Sequence, residues 1–240
     1  MKQAVIYSML GLILLGVGFG AYKIYTDRGW RTTNPKFENL SGKFIDGKLH
    51  YPADPAVKLG LVPDYKYLGE QAFVLYGTAD VKQHFFVKPN AQDKTQSLVF
   101  IQFERVSPGV NWQYDYSSSP LREQFGTYDF FTNIRATTRH PIFWYGRPGS
   151  DGYLARKFVA DKGYPAPRNY AYARLVHLPT QDRRKEMIVI FMDDLAPTGF
   201  TGKDLQPGGS HEDKWAELSQ KHLTNLRTIM RVEPLTAPQN

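Results

Sequence analysis

Cysteine is absent from the 240 residues, which excludes disulfides, thiolate metal sites and cysteine nucleophiles together. The core must hold by packing alone. Local signatures of common chemistries are absent as well. The six histidines, His50, His84, His140, His177, His211 and His222, show no HxH, HxxxH or HExxH spacing, so no metal site is expected. The turn over 146–152, GRPGSDG, departs from GxSxG, GxGxxG and GxxxxGK[ST]. That removes the strongest local support for a hydrolase or a nucleotide-binding protein. The sequence implies no cofactor.

Charge is missing from residues 4–22, AVIYSMLGLILLGVGFGAY, which lie between Lys2 and Lys23. As a helix this run would be roughly 28 Å long at about 1.5 Å per residue, close to the roughly 30 Å of a bilayer's hydrocarbon core. Residues 1–25 therefore read as a single-pass transmembrane helix of the signal-anchor kind, with the lipid bilayer as partner through 4–22. A cleaved export signal would have a shorter apolar run and a better site than Gly18-Phe19-Gly20-Ala21. Lys23, Arg28, Arg31 and Lys36 come after the run, and on the positive-inside rule they favour an internal domain. An N-terminal apolar segment with a basic start usually exports the domain attached to it, and long domains translocate largely regardless of charge. The soluble part is expected outside the cytoplasm, in a bacterial envelope.

The formal net charge is +7, yet Lys and Arg are dispersed and their longest run is Arg183-Arg184-Lys185. No nucleic-acid partner is expected from that distribution. A modest positive excess on a tethered chain suits anionic headgroups instead. Aromatic residues make up 14%, which favours a sheet-rich domain.

Residues 26–39 are polar, carry Pro35 and lack periodicity, as a stalk would. A single α+β domain is expected over 40–233, with a loose tail over 234–240. Asp46-Gly47 between short apolar runs predicts a hairpin over 42–51. Residues 53–61 read as a short helix started at Asp54-Pro55. Strands are predicted over 65–77, 81–88 and 97–106, the last with its far end leaving the core, where Gln102 and Glu104 interrupt the apolar pattern. The stretch 107–120 is a long loop, 125–136 leans to a helix on Phe130, Phe131 and Ile134, and 141–145 reads as a strand. A helix is predicted next over 153–162, stopped by Gly163 and Pro165. Strands are predicted over 169–178 and 185–194, the second apolar on both faces and so central. A long C-terminal helix begins near Ser210, ends at Pro234 and packs on a mostly antiparallel sheet, in a helix-grip or similar curved-sheet arrangement.

Polar residues on apolar strands suggest a lined cavity. The candidates are Arg105, Arg174 and His177, together with Arg147 and Ser150 from the glycine-rich turn, where backbone amides and a helix start suit an anion. Asp151 could instead cap that helix. Asp193-Asp194 reads as a cap or a solvated strand end. These features favour a membrane-tethered binding or accessory module for a small anionic ligand or a membrane-protein partner. The alternatives are an envelope hydrolase with an Asp or His base, which a paired Asp and His in a cleft would favour, and a structural partner in a membrane complex.

Overall fold

The computed structural model describes residues 13, 15–18, 42–140 and 147–235. Two antiparallel sheets and two longer helices make up the domain, an α+β architecture. Strands β1 (Lys43–Ile45), β2 (Lys48–Tyr51), β3 (Val57–Leu61) and β11 (Met230–Pro234) form one sheet in that order. The second sheet has seven strands. They are β4 (Lys66–Leu75), β5 (Ala79–Pro89), β6 (Thr95–Val106), β7 (Leu121–Phe125), β8 (Tyr128–Thr138), β9 (Asn169–His177) and β10 (Lys185–Asp194). Their spatial order is β4-β5-β6-β10-β9-β8-β7, all neighbours antiparallel. Strand β10 sits at the centre, as its double-sided apolar pattern requires.

The β1–β2 turn is set by Asp46 and Gly47, whose φ angles of 49° and 75° suit a two-residue hairpin loop. Helix α1 (Asp151–Asp161) starts at Ser150, whose Oγ accepts from Tyr153 N at 3.1 Å. It ends where Gly163, at φ 88°, lets Gly163 N and Tyr164 N reach the carbonyls of Ala160 and Val159. Helix α2 (Trp215–Ile229) buries His222, Leu223, Leu226 and Ile229.

The two faces of the large sheet have separate cores. Val99, Ile101 and Phe103 of β6, with Met187, Val189 and Phe191 of β10, meet the small sheet and α2. Tyr51 of β2 stacks on Phe103 at 3.5 Å between centroids. The opposite face, with Phe85, Leu98, Phe100 and Met192, carries α1 through Ala155 and Val159. Phe158 of α1 stacks on Phe85 at 4.4 Å.

Several elements differ from the sequence expectation. Residues 57–61 are a strand and not part of a helix, because β2 and β11 flank them on both sides. The stretch 121–138 is the β7–β8 hairpin, not a helix: Phe130, Thr132 and Ile134 point one way and Phe131, Asn133 and Arg135 the other. The C-terminal helix begins at Trp215 after a 3-10 turn (Glu212–Lys214) and stops at Ile229, and Pro234 lies at the end of β11. The predicted strand over 141–145 lies outside the described residues. So does most of the apolar run 4–22, and among the described residues no helix is long and apolar enough to cross a membrane.

Candidate ligand-binding site

Strand register brings polar side chains into adjacent rows on the face that carries α1. Gln83 stands opposite Gln102, and Glu104 opposite Glu186. In the next row Ile190 lies between Phe100 and Arg174. The expectation that β6 leaves the core near Gln102 fails here, since Gln102 is 1% and Glu104 6% exposed. The loop 107–120 covers them. It is fixed by Tyr114 N to Arg183 O and by Arg184 Nη1 to Trp112 O, at 2.8 and 3.2 Å.

The covered groups bond to one another. Gln71 donates to Gln83, Gln83 to Gln102 and Gln102 to Glu104 Oε2, at 2.7, 2.6 and 2.7 Å. Tyr114 OH donates to Glu104 Oε1 at 2.8 Å. Beside this row, Arg174 Nη2 donates to Tyr116 OH at 3.0 Å, and Tyr116 OH donates to Glu186 Oε2 at 2.6 Å.

Burying two carboxyl groups side by side disfavours their ionisation. Burial pushes Glu186 up to about 7, against the pull of the Tyr116 hydrogen bond and the Arg174 charge. Burial and then the Glu186 charge hold Glu104 well above the usual carboxylate range. Burial works against charge on Arg174, but Tyr116 and Glu186 outweigh it and keep the guanidinium charged. Tyr114 and Tyr116 are both raised by burial, so their hydroxyls remain donors.

A cavity of about 280 Å3 opens between this row and α1, with Gln83, Asp151, Gly152, Arg156, Tyr172 and Arg174 among its walls. Its formal charges are two guanidinium groups and one carboxylate. Among the described residues Arg174 makes one hydrogen bond, to Tyr116, so other N–H groups of its five remain for a ligand.

The five residues singled out from the sequence are divided between two faces. Arg174 lines the cavity. Ser150 caps α1 one residue before Asp151, and its Oγ also donates to the Arg147 carbonyl at 2.8 Å. Because Asp151 Oδ1 accepts from Gly152 N at 2.7 Å, the helix amides there are met by the protein's own oxygens. The helix start therefore offers no open amide at Gly152 or Tyr153. Arg105 and His177 face the other way. Arg105 Nε donates to Asp80 Oδ2 at 2.8 Å, and His177 Nδ1 lies 2.9 Å from Asp129 O. Sequence reasoning misses Gln83, Glu104, Glu186, Tyr114, Tyr116 and Arg156 as site residues. The one local trace is the pair Gln102 and Glu104 breaking an otherwise apolar strand.

Compared with known proteins, the chain matches no family model, no curated protein and no solved structure.

Proposed function

We propose that this chain is a membrane-tethered binding module that holds a small anionic ligand between α1 and the seven-stranded sheet. Arg174 is the fixed cation of that site. The carrying observation is the chain Arg174–Tyr116–Glu186, which clamps a guanidinium at the wall of a cavity of about 280 Å3. A partly buried, pre-positioned guanidinium matches carboxylate and phosphate oxygens, and the ordering has been completed before the ligand arrives. The aromatic and aliphatic walls, Phe100, Tyr172, Ile190 and Met192, suit an organic body attached to the anionic group.

Support for the tether comes from the uncharged run 4–22 and from Ile13, Leu15 and Val17. These helical residues are 61%, 71% and 65% exposed, so they do not pack on the domain. A bilayer would cover such side chains.

Titration of phosphate, sulfate, acetate and succinate into the full chain in detergent, monitored by thermal unfolding, tests the anion site. One of them should stabilise the wild type saturably, and Arg174→Ala should bind it at least about tenfold more weakly, since a hydrogen bond to a charged group is worth about 1.5–3 kcal/mol. Equal responses in both proteins would remove the anion reading.

A second reading, a hydrolase with an Asp/His base, has one observation in its favour: Asp193 Oδ2 lies 2.8 Å from His222 Nδ1. It stands behind the first because His222 Nε2 is shut off from solvent. Thr198, the hydroxyl residue on the wall of the separate cavity that Asp193 and His222 line, donates to Leu195 O at 2.7 Å and is not held by the histidine.

A further inference from the structure

We propose that the cavity between α1 and the seven-stranded sheet takes an α-amino acid with an apolar side chain, its carboxylate on Arg174 and its ammonium on Asp151. This names the ligand class of the anion site and rests on that reading: Arg174 is the same cation, and Asp151 adds a preference for an anion that carries its own positive charge.

A simple anion leaves one wall group unanswered. The lining carries Arg174, Arg156 and the carboxylate of Asp151. Asp151 Oδ1 accepts from Gly152 N at 2.7 Å, and Oδ2 has no hydrogen-bond partner among the described residues. Gln83 Nε2 donates to the Asp151 carbonyl at 3.4 Å, which holds the start of α1 over β5. Arg174 stands three strands away on β9, roughly 14 Å between backbones at about 4.8 Å per strand, and both residues line the space between. Their charges meet at Glu186. Burial is the main cause of its raised value, and beyond burial Arg174 lowers it while Asp151 raises it. Neither end is shut away: Asp151 and Arg174 are part-exposed, as are Gly152 and Ile190, so a ligand reaches both charges from solvent.

The apolar wall decides which end of the ligand carries carbon. Phe100 and Ile190 lie level with Arg174, and Met192 with Tyr172 in the next row. An α-amino acid has both charges at one end and its side chain at the other, so the ionic groups meet Arg174 and Asp151 while the carbons cover that wall. An apolar protein cavity of about 150 Å3 admits benzene, so one of about 280 Å3 holds a branched aliphatic amino acid. A carboxylic acid without the amine would bring its charge near Asp151 with nothing to offset the repulsion. An amine without the carboxylate would meet Arg174 as a like charge.

Leucine, isocaproate and isoamylamine share a branched chain and carry both charges, the carboxylate alone and the ammonium alone. Each is titrated into the full chain in detergent and followed by thermal unfolding, with potassium chloride at equal ionic strength as the blank. Leucine should stabilise the wild type saturably and bind at least about tenfold more tightly than isocaproate, and isoamylamine should act no more strongly than the salt. In Asp151→Asn, which keeps an oxygen for Gly152 N, leucine should weaken at least about tenfold while isocaproate does not weaken; a merely structural role would weaken both. Arg174→Ala should weaken both acids. Should Asp151→Asn fail to fold, the wild-type comparison of leucine with isocaproate still decides the matter. Isocaproate binding as tightly as leucine, with both weakened in Arg174→Ala, would overturn the amino-acid assignment and leave the anion site standing. Leucine binding that Arg174→Ala does not change, or no saturable response to leucine, would also overturn it, and the anion reading falls as well only if the simple anions fail in the same way.

Discussion

Replacing Glu186 by Gln should stabilise the protein above neutral pH and expose a pH dependence that the wild type conceals. The native Glu186 holds its proton up to about 7, whereas its ordinary value is 4.5. Between those values the native state binds a proton that the unfolded chain has released, so stability falls as pH rises through the window. At about 1.4 kcal/mol per tenfold change in proton affinity, the loss is about 3 kcal/mol. His84 acts in the opposite sense. Its ring is fully buried, and burial lowers it from 6.5 to about 4, against the raising effect of Glu70. There the unfolded chain binds the extra proton, and stability rises with pH between about 4 and 6.5 by about 3 kcal/mol.

The two slopes overlap and oppose each other between about pH 4.5 and 6.5. Wild-type stability should be nearly flat there, then fall above pH 6.5 where the carboxyl effect acts alone. Glu104, held well above its usual range, continues the fall. In Glu186→Gln the amide oxygen can still accept from Tyr116, and removal of the Glu186 charge also relaxes Glu104. Urea unfolding of the full chain in detergent at pH 5, 6, 7 and 8 should show the variant more stable by about 3 kcal/mol at pH 8, with a rising limb between pH 5 and 6. His84→Gln should show the complementary falling limb. A variant less stable than wild type at pH 8, or one that keeps the flat profile, would refute the account of the buried carboxyl pair.

Two further outcomes test the fold and the tether. Leu226 of α2 is fully buried among residues of both sheets, and Leu226→Ala should cost about 2–5 kcal/mol in urea unfolding; an unchanged curve would mean that this face of α2 is not part of the core. Alkaline phosphatase fused after Asn240 should be active and green fluorescent protein dark if the domain lies outside the cytoplasm, and the reverse pattern would place it inside.

Much of the fold is legible where local signals suffice. Asp46-Gly47 specifies its own hairpin, Gly163 its own helix stop, and the double apolar alternation of residues 187–192 marks a strand covered on both faces. Elements defined by distant partners are not legible in the same way. Strand β3 has a glycine at its fourth position and pairs with β2 and with residues 230–234, and nothing near residue 57 announces a partner so far along the chain. The end of α2 misleads for the same reason. Pro234 does forbid a helix, but the chain has left it at Ile229 to pair with β3. In β8, Phe130 and Phe131 adjoin in sequence and imitate a helical stripe, whereas the sheet sends them to opposite faces.

The candidate site shows why local patterns find some residues and miss others. Arg105, Arg174 and His177 share one signature, a polar side chain on an apolar strand, and sequence alone gives them equal standing. Parity and register separate them. Arg174 is level with Ile190 and, through it, with Phe100, the face beneath α1; Arg105 and His177 have the parity of Phe103 and Leu175 and face the small sheet and α2. Glu104 and Glu186 become a pair only because β6 and β10 run antiparallel in a register that sets them opposite each other. Their burial then depends on two tyrosines from a loop with no periodicity. A one-residue slip between β6 and β10 would move Glu186 to the other face and leave Tyr116 and Arg174 without their carboxylate. The central apolar strand, which pairs with both β6 and β9, therefore positions the polar chemistry as well as the core.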